Sequence, residues 1–464
     1  RSDRAGGGFF MVAKYPYLVF GVTAATITGL STVGCGAESS SGPGAPGGPG
    51  AEIAVSVVPS IRASGDVMAS ADLVAYQDGD GPWVSATGTG GVYRFAVHDD
   101  RYGVAVGCTG YFGGIAIYYQ LVSETSDLAV HGCDRSDSTA TITVDVQGGG
   151  DITEVWIGSW LGFVLSDLPA RLVVPRGLTD VFVRSYLVFP GGESDVRVHL
   201  GPSIDIQDDQ QLSIDMADAV HLETHPLTIS DPASLPGTWS TASSYVTPHA
   251  RQFHTIQGFF DRHISYSMLP ASARQPGDLA RVEVTESAAI SDQTRSSVRG
   301  AFQNMATPSA VSLEPPAFLT VSDPSIDLRA VSQLSVTLPI LPSKLGYTVS
   351  KASFYTSTVV SSSYLEIHVL PGWAQSQPSV SLHVPDLRNL SEWTSDMALK
   401  ARTEVDWSIS VIDQNVPFGA PLADGMRGLT SEVSGKLIPR QNAAGAQPAC
   451  HQQPCDTAIT GGEP

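Results

Sequence analysis

The run VYRFAV (92–97), followed by YGVAVGC (102–108) and IAIYYQLV (115–122), decides the fold class of this chain. Apolar residues alternate with polar ones or form short continuous runs, and successive side chains of a strand point to opposite faces. Turn-forming segments, HDDR (98–101) and YFGG (111–114), separate the runs. Short strands with turn signals at such intervals predict antiparallel β-structure.

The same pattern continues along most of the 464 residues, so we predict an all-β chain of tandem antiparallel β-sandwich domains behind a lipoprotein signal and a Gly/Pro/Ser tether. The predicted boundaries are 53–136 for the first sandwich, 137–231 for the second, 232–315 for an irregular β region and 316–437 for the third sandwich. Residues 438–464 are polar and predict a disordered tail with a small cysteine loop.

Two segments are expected to depart from strand structure. SSVRGAFQNMA (296–306) predicts a short helix or a loop. SEWTSDMALKA (391–401) offers a serine N-cap and helix-forming residues, and it predicts the one real helix of the chain.

The N-terminal segment has the order of a signal peptide. The apolar run 18–30 is shorter than the roughly 20 residues that cross a membrane as a helix, and Lys14 precedes it. Met11 is a plausible start, so residues 1–10 are expected to be a non-native upstream segment and residues 11–34 the signal. The alternative is a simple secretory signal in which the following cysteine is incidental.

Ser31-Thr32-Val33-Gly34-Cys35 and the Gly/Pro/Ser-rich stretch 36–50 resemble a bacterial lipoprotein signal with its lipobox. Thr32 departs from the leucine that is commonest there. The resemblance implies fatty acylation (palmitate-type chains) of Cys35, a tether over residues 35–52, and lipid anchoring in the cell envelope. Gly36, where an aspartate would be the retention signal, favours the outer membrane.

The phrases DGDGPW (78–83), GTGGVYRFAV (88–97) and DRYGVAVGC (100–108) resemble the first module of uncharacterised secreted bacterial lipoproteins. More loosely, they resemble transthyretin-like carboxypeptidase-regulatory or CNA-B-type sandwiches. This resemblance implies a fold and not a function, because such sandwiches have many roles.

The chain has five cysteines, and acylation of Cys35 would leave four. Four cysteines allow three pairings, and proximity in sequence favours two disulfides: Cys108–Cys133 and Cys450–Cys455. A metal site formed by the last two cysteines with His451 is the alternative for that pair. Disulfides are typical of oxidising compartments, which agrees with the signal.

Charge restricts the partners. The net charge is −20, and removal of Arg1, Arg4, Lys14 and Asp3 with the signal shifts it to −22. A field of this sign repels nucleic acid. We therefore expect no nucleic-acid partner, a membrane contact through the lipid, and an extracellular protein or glycan ligand.

His221, Glu223 and His225 form the most suggestive candidate site. Residues at alternate positions of a strand share a face, so two imidazoles and a carboxylate could bind Zn²⁺. The alternative is a solvent-facing polar stripe, with Leu222 and Thr224 pointing inward.

Other patterns are weaker. Asp78 and Asp80 could bind Ca²⁺ but also fit a plain turn. Histidines near Asp261 could form a hydrolase site, yet no G-x-S-x-G elbow, P-loop or dinucleotide fingerprint occurs. Those histidines are His249, His254 and His263. Five tryptophans could form a glycan platform but are expected in the core: Trp156, Trp160, Trp373, Trp393 and Trp407.

The sequence thus favours a non-enzymatic envelope lipoprotein with a binding or structural role and no cofactor. The alternative function is a secreted metal-dependent enzyme or metal-binding protein that uses the stripe of residues 221–225.

Overall fold

The computed structural model describes most of the chain between residues 50 and 437. The described ranges are 50–58, 71–109, 112–131, 133, 139–150, 152–157, 160–165, 169–188, 194–230, 238–247, 253–259, 264–289, 295–321, 325–326, 334–357, 362–374, 377–399, 405–416 and 423–437.

Thirty-two strands form the described part of the fold. The first sixteen are β1 Ala51–Val58, β2 Leu73–Asp78, β3 Trp83–Ser85, β4 Gly88–Thr89, β5 Val92–Val97, β6 Arg101–Cys108, β7 Phe112–Leu121, β8 Asp127–His131, β9 Thr139–Gln147, β10 Ile152–Ile157, β11 Trp160–Leu165, β12 Ala170–Pro175, β13 Gly177–Thr179, β14 Val181–Val188, β15 Ser194–Leu200 and β16 Ile204–Ile206. The other sixteen are β17 Gln210–Asp215, β18 Val220–His221, β19 Glu223–Ile229, β20 Thr238–Val246, β21 Phe253–Phe259, β22 Ile264–Met268, β23 Leu279–Ala289, β24 Arg295–Met305, β25 Val311–Leu313, β26 Ser325–Ile326, β27 Leu334–Pro339, β28 Tyr347–Ser357, β29 Ser362–Val369, β30 Ser379–His383, β31 Val405–Gln414 and β32 Arg427–Leu437.

The predicted all-β class is confirmed, with several mostly antiparallel sheets. Within the described residues, the helical elements are three-residue 3-10 turns such as Met216–Asp218, Ala271–Ala273 and Ser395–Met397. None of the helices in this part of the chain is long and apolar enough to cross a membrane.

A twelve-stranded sheet, here called the large sheet, joins distant parts of the chain in the order β21-β20-β23-β24-β32-β31-β28-β29-β7-β6-β2-β3. All neighbours in it are antiparallel except β29 and β7, which run parallel from the pair Ser362 and Phe112 to the pair Val369 and Tyr119. The large sheet therefore crosses the predicted boundaries at 136 and 316, because a strand of the first predicted sandwich is hydrogen-bonded to a strand of the third.

The region predicted as irregular, 232–315, contains regular long strands instead. β23 and β24 pair over ten residues each, from Ala280 opposite Met305 to Ala289 opposite Ser296. The segment predicted as a helix or loop at 296–306 is thus mostly β24. Ala301 and Met305 of this strand enter an apolar core cluster, and this packing overrides weak local preferences.

The second helix prediction, 391–401, is also wrong. Within the described residues 391–399, Ser395–Met397 is the one helical element, and it is a 3-10 turn. The buried side chain of Met397 contributes to the core over β6 and β7, and this tertiary contact holds an otherwise irregular segment.

Apolar layers cover both faces of the large sheet near β2, β6 and β7. Leu73, Ala75 and Ala105 belong to a cluster with β27 and β30, whereas Val74 and Val104 belong to a cluster with β1 and β5. Because adjacent residues of these strands are buried on opposite faces, the strands read as nearly continuous apolar runs. Another cluster lies between residues 140 and 216, within the predicted second sandwich.

Candidate functional site

A row of polar and charged residues crosses five strands in the middle of the large sheet. In β28, Lys351 lies opposite His368 of β29, and His368 lies opposite Tyr118 of β7. On its other side Lys351 lies opposite Ser410 of β31, which lies opposite Glu432 of β32. Because directly paired residues of neighbouring strands share a face of the sheet, these side chains lie on one face of it.

The intervening residues point the other way into the apolar core, among them Ala352, Phe354 and Ile367. We call the opposite surface the polar face. Its residues are Lys351, Ser353, Tyr355, Tyr364, Glu366, His368, Asp406, Ser408, Ser410, Glu432, Ser434 and Lys436.

Glu366 is the centre of a hydrogen-bonded cluster on this face. Its carboxylate lies 2.8 Å from the Lys351 ammonium and 3.3 Å from His368 Nε2. The Ser353 hydroxyl donates a third, longer bond of 3.4 Å. The side chains of Lys351 and His368 are 8% and 5% exposed, but that of Glu366 is 27% exposed. The ammonium and the imidazole of the cluster are thus buried, whereas its carboxylate is partly exposed.

The pKa values of two carboxyl groups on the polar face, those of Glu366 and Glu432, shift in opposite directions. Burial opposes ionisation of Glu366, but the Lys351 ammonium and the His368 hydrogen bond outweigh it and hold the pKa of Glu366 well below its usual range. Burial raises the pKa of Glu432, although Lys351 opposes this shift. Burial also lowers the pKa of His368, so its imidazole is neutral near pH 7.

Tyr118 packs against the face of the His368 imidazole. Its ring stacks on that of His368 with centroids 4.6 Å apart and planes 18° apart. Burial raises the pKa of the Tyr118 hydroxyl, with a further contribution from Glu366. The tyrosine is therefore a neutral packing partner that limits rotation of His368.

Replacing Lys351 by methionine is expected to lower the free energy of unfolding by about 2 kcal/mol at pH 7, because the partly buried Glu366 carboxylate loses its cation. The pKa of Glu366 is depressed in the folded state, so its contribution is present above the unfolded value of about 4.3 and is lost as the pH falls toward the folded value. The difference from the wild type should therefore shrink below about pH 4.

Urea-unfolding midpoints at pH 7 and pH 3.5 measure this effect. Lys436→Met is the matched control, since its ion pair with Asp406 is long, at 3.8 Å, and more than half exposed, and such pairs contribute about 0–1 kcal/mol. A difference for Lys351→Met that is equal at the two pH values would contradict the assignment.

The predicted histidine stripe is divided between two sheets. His221 ends β18, which pairs with β15, whereas Glu223 and His225 lie in β19, which pairs with β22 and β25. His221 Nδ1 is 3.1 Å from Asp195, and His225 Nε2 is 3.8 Å from Glu223.

The histidines of the stripe contact neighbouring protein side chains and do not converge on one point. The His225 ring stacks on Tyr266 with centroids 5.3 Å apart, and Thr224, expected to point inward, is exposed. Within the described ranges, no group of three or more His, Cys, Asp or Glu side chains could hold a metal ion.

Asp78 and Asp80, the candidate Ca²⁺ ligands, bind protein donors. The Asp78 carboxylate accepts hydrogen bonds from the backbone N–H groups of His98 and Asp99 at 2.9–3.0 Å. Asp80 lies 2.8 Å from Arg101. Their geometry is that of the β2–β3 turn joined to the segment that connects β5 and β6.

Cys108 and Cys133 form a disulfide, as the sequence predicts. Both side chains are buried, at 2% and 7% exposure. The lipidation candidate Cys35 and the second predicted pair, Cys450 and Cys455, lie outside the described residues.

Three of the candidate platform tryptophans are buried, as expected of core residues: Trp156, Trp373 and Trp407. Trp393 packs partly buried against the core. The described part of the chain gives no side-chain position for Trp160 or His254, and it excludes His249, Asp261 and His263.

Comparisons with known proteins add little. No family model matches the chain, and no curated protein matches it. A solved structure, the Bacillus anthracis TIE protein, aligns at 8% identity and a TM-score of 0.14, over 52% of this chain and 46% of that one. The match thus spans less than half of that structure, and a TM-score this low supports no statement about fold or function.

Proposed function

We propose that this chain is a lipid-anchored protein of the bacterial cell envelope, outside the cytoplasm, with a binding rather than a catalytic role. The observation that carries the proposal is the buried disulfide between Cys108, at the end of β6, and Cys133. Structural disulfides persist in oxidising compartments and are rare in the cytosol.

The anchor is supported by the arrangement of the remaining sequence. Cys35 follows an apolar run and precedes a Gly/Pro/Ser-rich stretch, and the first described strand begins at Ala51. One acyl chain alone binds membranes only marginally, so the several chains implied by the lipoprotein resemblance would give a stable anchor. The outer membrane is the favoured site because Gly36 follows the cysteine.

A binding role is supported by the polar face. It presents charged, hydroxyl and aromatic groups on a hydrogen-bonded sheet whose neighbouring strands fix their backbone positions. Sites built on strands hold their groups in more precise positions than sites on loops.

Cells expressing the full-length chain should incorporate radiolabelled palmitate into it, and Cys35→Ala should abolish this labelling. Replacing a cysteine that carries no lipid would leave the labelling unchanged, so Cys108→Ala serves as the matched control. Equal labelling of the wild type and the Cys35→Ala variant would overturn the anchor.

A further inference from the structure

We propose that the polar face binds an uncharged glycan chain. This inference rests on the proposed binding role and specifies its ligand class. Three features of this face favour a glycan: its aromatic residues, its hydrogen-bonding groups and its charge balance.

The aromatic residues lie at one end of the face. Tyr355 and Tyr364 are directly paired across β28 and β29, and Tyr364 pairs in turn with Gly114 of β7. A Cβ atom at Gly114 would lie 2.7 Å from Cγ of Tyr364, so the Tyr364 ring extends over the glycine. Tyr355 is 38% exposed. Aromatic rings positioned in this way give an apolar surface on which the C–H face of a sugar ring can stack.

The hydrogen-bonding groups follow directly along the strands. Two residues further on, Ser353 pairs with Glu366 on one side and with Ser408 on the other, and Ser408 pairs with Ser434. All four side chains belong to partly exposed residues. The ionised Glu366 carboxylate can accept about four hydrogen bonds, more than its three protein partners use. Adjacent hydroxyls of a sugar are suitable donors to the remaining positions.

The charges on this face are nearly balanced. Lys351 pairs with Glu366 and Lys436 with Asp406, which leaves the Glu432 carboxylate in excess. The net charge of the whole chain is −20. This balance disfavours polyanions such as nucleic acid or acidic polysaccharides. The charged groups of the polar face can still form hydrogen bonds with the neutral hydroxyls of a sugar.

The dimensions fit several linked sugars. From β29 to β32 the face crosses three strand spacings, about 14 Å at about 4.8 Å each. The tyrosine row and the serine row are two residues apart, about 7 Å along the strands. A chain lying across the strands would contact the aromatic row and the Glu366 row together.

Affinity electrophoresis of the detergent-solubilised full-length protein tests the proposal. The neutral probes are laminarin, hydroxyethyl cellulose, xylan and glucomannan, and heparin and alginate are the anionic probes. At least one neutral probe should retard the wild type. Tyr364→Ala and Tyr355→Ala should each raise the apparent Kd for that probe at least tenfold. Glu366→Gln, two residues further along the face, should also weaken the binding.

Tyr347→Ala is the matched control, since Tyr347 is a 45% exposed tyrosine of the same strand that lies eight residues from Tyr355. Circular dichroism should show that all variants keep their β-structure, and Tyr355→Ala at the exposed position provides the decision if Tyr364→Ala does not fold. Retardation by no neutral probe, or by the anionic probes alone, would overturn the proposal. So would equal loss in the Tyr347 control. If no neutral probe binds but palmitate still labels Cys35, the glycan proposal is wrong and the proposed lipid-anchored envelope protein is unaffected.

Discussion

Replacing Arg299 by methionine is expected to lower the free energy of unfolding by about 3–5 kcal/mol, the largest effect of any single substitution considered for this chain. Arg299 of β24 lies opposite Glu286 of β23, and neither side chain is exposed. Arg299 Nε donates to the Glu286 carboxylate at 2.6 Å, and a terminal guanidinium nitrogen donates to the carbonyl oxygen of Pro316 at 3.2 Å. Methionine would leave the buried carboxylate without its cation.

The aromatic surroundings add to the cost. The guanidinium lies 4.8 Å from the ring centroid of Phe318 and 5.4 Å from that of Trp239. Cation–π contacts of a desolvated guanidinium contribute about 2 kcal/mol or more. Arg299 therefore joins β23, β24 and the segment around Pro316 in one buried cluster.

Urea-unfolding midpoints followed by tryptophan fluorescence measure this prediction. The double variant Glu286→Leu with Arg299→Met should recover most of the loss, because it removes both buried charges. Arg94→Met is the matched control: its pair with Glu52 is short, at 2.7 Å, but both side chains are more than 60% exposed, so the change should stay below about 1 kcal/mol. A free energy of unfolding for Arg299→Met within about 1 kcal/mol of the wild-type value would show that the buried pair is not needed for stability.

The sequence predicts strands well where apolar residues alternate or run continuously. The runs 92–97 and 102–108 correspond to β5 and β6, and 115–122 corresponds to most of β7. The prediction was wrong at 296–306 and 391–401, where helix-forming residues and a serine cap favour a helix locally. Packing against distant strands decides both segments, and local preferences do not contain that information.

The polar face was missed for the same reason. Glu366 and His368 alternate with Leu365 and Ile367, which is a visible signal for a strand with one charged face. The signal does not say which charges meet, because the partner strand β7 lies about 250 residues away in sequence and runs parallel. The histidine stripe at 221–225 predicts a shared site because its residues are neighbours in the chain. The break between β18 and β19 separates them.

Removal of the disulfide by the double substitution Cys108→Ala with Cys133→Ala should lower the free energy of unfolding by about 3 kcal/mol. The two cysteines are 25 residues apart, and a closed loop of about that length restricts the unfolded chain by this amount in the loop-entropy description. Both residues are buried. Alanine leaves small vacant volumes at both positions, which add to the loss.

The disulfide joins the end of β6 to a point just after β8. β6 pairs with β2 and β7 in the large sheet, whereas β8 runs parallel to β1 in the layer that packs over it. The bond therefore connects two packed layers, and its loss should separate them before other parts of the fold unfold. Hydrogen exchange should show the largest loss of protection in β1, β5 and β8.

Reductant provides the decisive comparison. Dithiothreitol should shift the urea midpoint of the wild type toward that of the double variant and should leave the double variant unchanged. A second disulfide between Cys450 and Cys455 would be reduced in both proteins, so the difference between them isolates the buried bond. If reductant under unfolding conditions does not shift the wild-type midpoint, the disulfide does not stabilise the fold, and the argument for an oxidising compartment loses its main support.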